Sequence, residues 1–297
     1  MRLIFLLLVS VARLVGAQEL TFFFAGDSHY GLDQWEYNEK WNKLMIEDMN
    51  ALPGQAYPPE LEGLVQDPRG LIFAGDLTDA GSYFQFYGWW LFWKWNRDGF
   101  YDDFGLNGEG LLNYPLYEGY GNHDWQAGGH SAVVWSLQQR NTSRKDPVNL
   151  SRNLIHYSWD WDGVHFIHLN VYAGMTEMAQ ESLLFLEEDL RQRVGSSGRP
   201  VILVQHYAFD AWSCLDEWWT EKERDAFYEV IKEYNVAAIF CGHIHSAEHV
   251  VWNGIDTIST AAIKDGEYLV CRIVGSELTV VARRHGAWGS FLFKKRI

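Results

Sequence analysis

Short apolar runs that each close on a polar cluster punctuate the chain: LTFFFAGDSH, GLIFAGDLTD, LYEGYGNHDW, VILVQHYAFD and AAIFCGHIHS. Runs of this length without alternation read as strands buried on both faces. Between them lie stretches with helical spacing, over residues 33–51, 178–194 and 220–234. The last is marked at its start by Thr220 and Glu223, spaced as a capping box. Strands alternating with helices predict an α/β fold. After His245 the pattern changes to consecutive strands with Gly-containing turns, and LIHYSWDWDGVHFIHLNVY reads as a hairpin around Asp162-Gly163. No Pro/Gly/Ser-rich linker or internal repeat divides the chain, so residues 18–297 read as one domain.

The first residues, MRLIFLLLVSVARLVGAQEL, have Arg2 as a basic start, an apolar stretch and the small residues Val15 and Ala17. They read as a signal peptide over residues 1–17, and the apolar run is shorter than the ~20 residues that span a bilayer. A secreted or lumenal protein is expected. The sequons at Asn141 and Asn149 then read as glycan acceptors on a surface loop. Cys214, Cys241 and Cys271 are too few for a disulfide framework. The formal net charge of -15 argues against a general nucleic-acid binder, because an acidic surface repels phosphate backbones. A nuclease is disfavoured on the same ground.

The polar clusters hold the candidate chemistry. In chain order the strand ends carry Asp27 and His29, then Asp76, then Asn122, His123 and Asp124, then His206, then His243 and His245. Active sites of α/β sheets assemble at such ends. Imidazoles with carboxylates and an amide oxygen suit Mn, Fe, Zn and similar divalent ions. Seven candidate ligands (Asp27, His29, Asp76, Asn122, His206, His243 and His245) are more than one ion needs and fit two neighbouring ions.

D-x-H at Asp27, G-D at Asp76, G-N-H-D at Gly121–Asp124, a lone strand-end His206 and G-H-x-H at Gly242–His245 resemble, in the same order, the motifs of the calcineurin-like metallophosphoesterase superfamily. The resemblance implies a four-layered αββα sandwich with two mixed β-sheets. It implies two divalent ions, one on Asp27, His29 and His245 and the other on Asn122, His206 and His243, with Asp76 bridging. It further implies in-line attack on phosphorus by a metal-bound hydroxide, with His123 beside the leaving oxygen and Asp124 orienting His123. The expected substrate is a small phosphate ester, amphipathic or aromatic, either a diester or a monoester. The rival from another class is a catalytically weak scaffold on the same fold. Purple acid phosphatases carry a Tyr ligand where this chain has Asp79. Ser/Thr protein phosphatases carry arginines where it has Ala80 and Tyr120.

Fifteen tryptophans demand a separate account. Many fall in YFQFYGWWLFWKWNRDGFYDDFG, within an apparent insertion at about 81–115, and in AFDAWSCLDEWW after His206. Each stretch reads either as core packing or as an aromatic wall for a lipid, sugar or base-bearing substrate. His130, just after G-N-H-D, is a further candidate for substrate contact, and Glu118 a candidate support for the site.

Overall fold

The computed structural model describes residues 19–31, 37–79, 89–125 and 131–297. The signal-peptide reading, His130, the start of the expected helix at 33–36 and the first half of the aromatic insertion, with the side chains of 89–96, lie outside the described residues.

Period-two burial explains how the sheets stack. In β1 (Glu19–Ala25), Leu20, Phe22 and Phe24 face one way and Phe23 and Ala25 the other, and all are buried. Phe22 meets Phe166 at 5.4 Å and Phe24 meets Phe240 at 4.9 Å, so this face packs against a second sheet. Phe23 points the opposite way, to Tyr114 and Tyr268. Burying each such ring stabilises by about 1.5–3 kcal/mol. Strands sandwiched on both sides need no polar face, which is why they read as unbroken apolar runs.

The first sheet has six strands in the order β13-β12-β11-β1-β2-β3. It comprises β1, β2 (Leu71–Phe73), β3 (Leu116–Glu118), β11 (Glu267–Val274), β12 (Glu277–Arg284) and β13 (Ala287–Arg296). The second has seven, in the order β4-β5-β6-β7-β8-β10-β9. These are β4 (Asn149–Leu150), β5 (Tyr157–Trp161), β6 (Val164–His168), β7 (Val201–Val204), β8 (Val236–Cys241), β9 (Glu248–Trp252) and β10 (Ile255–Ser259). Both mix parallel and antiparallel pairs: β1, β2 and β3 run parallel, as do β6, β7 and β8. The β5–β6 hairpin turns at Asp162 (φ 47°) and Gly163 (φ 90°), as its sequence predicts.

Helices close the outer faces. On the first sheet lie α1 (Tyr37–Ala51), which buries Met45, Ile46 and Met49, and α2 (Trp89–Phe104), whose Phe100 and Phe104 pack on Phe73. The end of the aromatic insertion is therefore core. The second sheet carries α4 (Ser182–Asp189) and α5 (Glu221–Ile231). The Thr220/Glu223 capping box is formed, and Phe227 and Ile231 are the buried face of α5. The result is the expected αββα sandwich with two mixed sheets. Helix 178–194 begins later than its sequence suggests. Gln180 and Glu181 are left-handed, and the last turn (Leu190–Val194) widens to a π-helix. Among the described residues no helix is long and apolar enough to cross a membrane.

One surface-loop reading needs correction. Asn141 sits inside α3 (Ala132–Thr142), 2 % exposed, with Nδ2 donating to the carbonyls of Leu154 and Ile155. Its amide is spent on packing α3, with no room for a glycan in the folded chain. Asn149 lies in β4, partly buried, and donates to Asp189.

His156 and His168 make folding pH-sensitive. Both are fully buried. Each ring has one nitrogen near a backbone carbonyl (His156 on Gln180, His168 on Phe73) and the other facing an N–H of Asn170, which defines a neutral imidazole. Burial pushes both pKa values down to about 4 from an ordinary 6.5. Between those values the unfolded chain binds more protons than the folded one, so stability rises with pH there. The contribution is complete above about 6.5 and is lost as pH falls through 4. The urea midpoint is expected to drop between pH 7.5 and pH 5, and His168→Gln to flatten that drop. An unchanged slope in the variant would rule out His168 as a source.

Candidate metal centre

The strand-end residues converge from both sheets. Asp27 and His29 follow β1, Asp76 follows β2 and Asn122 follows β3; His206 follows β7, and His243 and His245 follow β8. Asp27, His29 and His245 have ligand atoms within 4.8 Å of one another, and so do Asp76, His206 and His243. The two groups adjoin: His29 Nε2 lies 3.2 Å from His245 Nε2 and 3.6 Å from Asp76 Oδ2. Asn122 Oδ1 lies 3.0 Å from His206 Nε2.

The backbone is bent to make this happen. Asp27, His29, Asp76, His243 and His245 all have positive φ, between 44° and 74°. Left-handed non-glycine residues cost about 1–2 kcal/mol each, and such strain concentrates at functional sites. Five of the twelve such residues among those described are candidate ligands, so the strain is focused there. The loops also press together. A Cβ on Gly121 would come within 2.2 Å of Asp76 Oδ1 and 2.6 Å of the Asp76 nitrogen. One on Gly242 would come within 2.8 Å of Asp27 Oδ2. The glycines of G-N-H-D and G-H-x-H are thus required by close approach.

The donor chemistry fits cations. His206 Nδ1 lies 3.1 Å from the Ala74 carbonyl, which can only accept, so Nδ1 carries a proton. Its Nε2 faces Asn122 Oδ1 and, at 3.2 Å, Asp76 Oδ2, and despite burial the Asp76 and Asp27 carboxylates shift the His206 pKa upward, so without a cation there Nε2 carries a second proton. The cluster thus calls for positive charge at this point, which either that proton or a metal ion supplies. His243 Nε2 is buried without a hydrogen-bond partner among the described residues. Burial and the neighbouring His206 push the His243 pKa down to about 3, which keeps its ring neutral and its nitrogen fit to ligate. The carboxylates are held charged. Burial alone would raise the Asp76 pKa, but His206 and His29 outweigh it and hold it well below the usual carboxylate range. Asp27 shifts down likewise: its hydrogen bond to His245 and the charges of His206 and His245 overcome burial.

Two placements depart from the sequence reading. Asp124 does not orient His123. Its buried carboxylate accepts from the backbone N–H groups of Leu77, Thr78 and Gly121, bracing the Asp76 loop against the G-N-H-D loop. Burial and the Asp76 charge raise its pKa to about 6. The partner of His123 is Asp79, whose carbonyl lies 2.7 Å from His123 Nδ1 and whose Oδ1 lies 3.4 Å away. The same Oδ1 is 3.2 Å from His29 Nδ1, a carboxylate behind the imidazole of a candidate ligand. Only the place of Asp79, three residues beyond Asp76, marked it in the sequence. Glu118 stands apart from the centre, paired with Arg140 and Arg144.

The aromatic cluster after His206 divides in two. Phe209 and Trp219 are buried with Phe227, as core. Trp212 remains 46 % exposed and stacks on His243, at 4.5 Å between centroids and 6° between planes.

Three solved structures show a similar fold. A dimetal phosphatase from Danio rerio is 10% identical with a TM-score of 0.58, covering 93% of this chain and 98% of its own. GAP50, described as the anchor in the inner membrane complex of Plasmodium, is 13% identical with a TM-score of 0.56, covering 94% and 89%. The purple acid phosphatase PPD1 of yellow lupin (Lupinus luteus) is 15% identical with a TM-score of 0.60, covering 94% of this chain and 54% of its own. No curated protein matches the sequence. The sequence profile described as calcineurin-like phosphoesterase matches residues 20–247, from the first strand to just past the second histidine of G-H-x-H. The chain belongs to the calcineurin-like phosphoesterase family.

Proposed function

We propose that the protein hydrolyses small-molecule phosphate esters at a centre for two divalent ions. The carrying observation is the convergence of the buried groups Asp76, His206 and His243, with Asn122 Oδ1 beside His206 Nε2, next to the Asp27, His29 and His245 group. Asp27, His29 and His245 would hold one ion, and Asn122, His206 and His243 the other, with Asp76 between them. Two such ions supply Lewis acidity, an activated water and charge neutralisation at a phosphoryl group.

The chain's own groups do the rest. His123 sits beside the ligands, its ring 4.6 Å from that of His29 and its side chain 38% exposed. Because Nδ1 faces the Asp79 carbonyl, Nε2 is the nitrogen open to a leaving oxygen, to which it would give a proton. The His123 backbone N–H donates to Asp76 Oδ1 at 2.9 Å, so the acid and the bridging carboxylate move as one. Asp79 holds His29 and His123 together, and Asp124 keeps the two loops in register. The Danio rerio and lupin structures are named as phosphatases, which supports catalysis; GAP50 is named as an anchor, which is the scaffold alternative. The intact set of converging donors favours catalysis, because a scaffold does not need it. The N-terminal pattern and the Asn149 sequon suit a secreted or lumenal enzyme.

Mn-loaded protein is expected to turn over p-nitrophenyl phosphate or bis-p-nitrophenyl phosphate, and the faster of the two assigns monoester or diester preference. His123→Ala is expected to lower kcat by about 10²–10⁴ with metal content unchanged. Metal bound in full with neither ester hydrolysed would favour the scaffold.

A further inference from the structure

Trp212 is an expensive residue to leave in water. Large aromatic side chains carry more apolar surface than any others and normally bury it, yet Trp212 is 46 % exposed. It is also held in place. Its backbone N–H donates to Asp210 Oδ2 at 2.8 Å, and Ser213 N donates to Asp210 Oδ1 at 3.2 Å, so the turn that carries the indole is built by its own side chains. Behind it, Trp218 packs edgewise at 5.3 Å and 61°. Tyr207 and Trp218 also flank the His243 ring, at 4.7 Å and 5.5 Å. The indole therefore lies one ring's thickness from a candidate ligand, parallel to it, with part of its surface open. A group ordered in advance costs little entropy when something stacks on it.

We propose that Trp212, backed by Trp218, is a stacking platform that selects phosphate esters bearing a planar aromatic group. This rests on the phosphoesterase reading above. A phosphate seated against His243 carries its ester substituent past the indole. A flat ring gains stacking there, whereas a short alkyl or glycerol group gains almost nothing. The planar group is either a nucleobase or a simple aryl ring, since both present the same π-face.

Binding without turnover tests this. Phosphonates keep a P–C bond in place of the scissile ester, so methylphosphonate, phenylphosphonate and a nucleoside 5′-methylenephosphonate can be titrated calorimetrically into Mn-loaded protein. Aromatic phosphonates are expected to bind on the order of tenfold tighter than methylphosphonate. Trp212→Ala is expected to erase most of that difference, and Trp212→Phe to keep most of it. Trp212→Leu, which fills the space without a π-face, should behave like the Ala variant and guards against misfolding. Preference for the nucleoside compound alone identifies the group as a base, and preference for both as any aryl ring. Equal loss of affinity for all three ligands in the Leu variant would make Trp212 a packing residue and overturn the proposal. Wild-type protein with no aromatic preference, or with no phosphonate binding, would overturn it too. The two readings fail separately. A preference that depends on Trp212, in a protein that hydrolyses neither nitrophenyl ester, removes the hydrolase reading and leaves the platform. Hydrolysis without the preference does the reverse.

Discussion

Asp76→Asn is expected to lower turnover by more than about a hundredfold and to reduce bound metal, while the fold survives. The bound is the upper end of what loss of a group merely supporting a metal ligand costs, and Asp76 stands closer than that. It is 1 % exposed and lies at the crossing point of the site. Oδ2 faces His206 and His29, at 3.2 Å and 3.6 Å, and Oδ1 receives the His123 N–H. Asparagine keeps the size and the acceptor for His123 but removes a negative charge placed between the two ligand groups. Asp76→Glu should not rescue. Oδ1 already lies where a single carbon on Gly121 would meet it at 2.2 Å, so the loops have no space for a longer side chain. Elemental analysis and steady-state kinetics check this together. Full metal content with near-normal kcat in Asp76→Asn would show that the bridging role is misplaced.

Glu118→Ala is expected to be the most destabilising change outside the centre, by about 3–5 kcal/mol. Glu118 is wholly buried at the end of β3, and two arginines of α3 and its exit reach it: Arg140 Nε at 2.6 Å and Arg144 Nη2 at 2.7 Å. The arginines are boxed in by rings, Arg140 over Tyr101 at 3.9 Å and Arg144 over Tyr157 at 4.6 Å. Burial would raise the Glu118 pKa, but the two guanidinium charges hold it below the ordinary value. Removing the carboxylate strands a guanidinium whose side chain is 4% exposed. Urea unfolding measures the loss. Replacing all three residues with apolar ones of similar volume should recover much of it, because the cost lies in the unpaired charge. A loss under about 1 kcal/mol in Glu118→Ala would mean that the arginines find other partners.

How much of this was readable in the chain depends on the range of the interaction. The buried strands were legible because a strand covered on both faces leaves an unbroken apolar signature, and LTFFFAG and AAIFCG have it. The candidate ligands were legible because they follow those strands within a few residues. The Thr220/Glu223 cap was legible because its chemistry is local. What escaped is long-range. Asp124 and Asp79 differ little as sequence, and their exchange of roles depends on how the loop after β2 folds over the loop after β3. Arg140 and Arg144 look like surface charges of α3 until the helix is docked over Glu118. Asn141 has the pattern of an exposed sequon, but the docking of α3 buries it. Nor does any pattern announce that five candidate ligands adopt left-handed backbone.

The candidate ligands are divided between the two sheets, so the centre sits across the seam of the sandwich. Ions held there would fasten the two halves of the fold, and metal occupancy and resistance to unfolding would be one linked equilibrium. With free metal at a hundred times Kd, that linkage adds about 2.7 kcal/mol, enough to offset the strain of about two of the left-handed ligand residues. The chain would then tolerate the contorted loops of its candidate centre best where such ions are at hand.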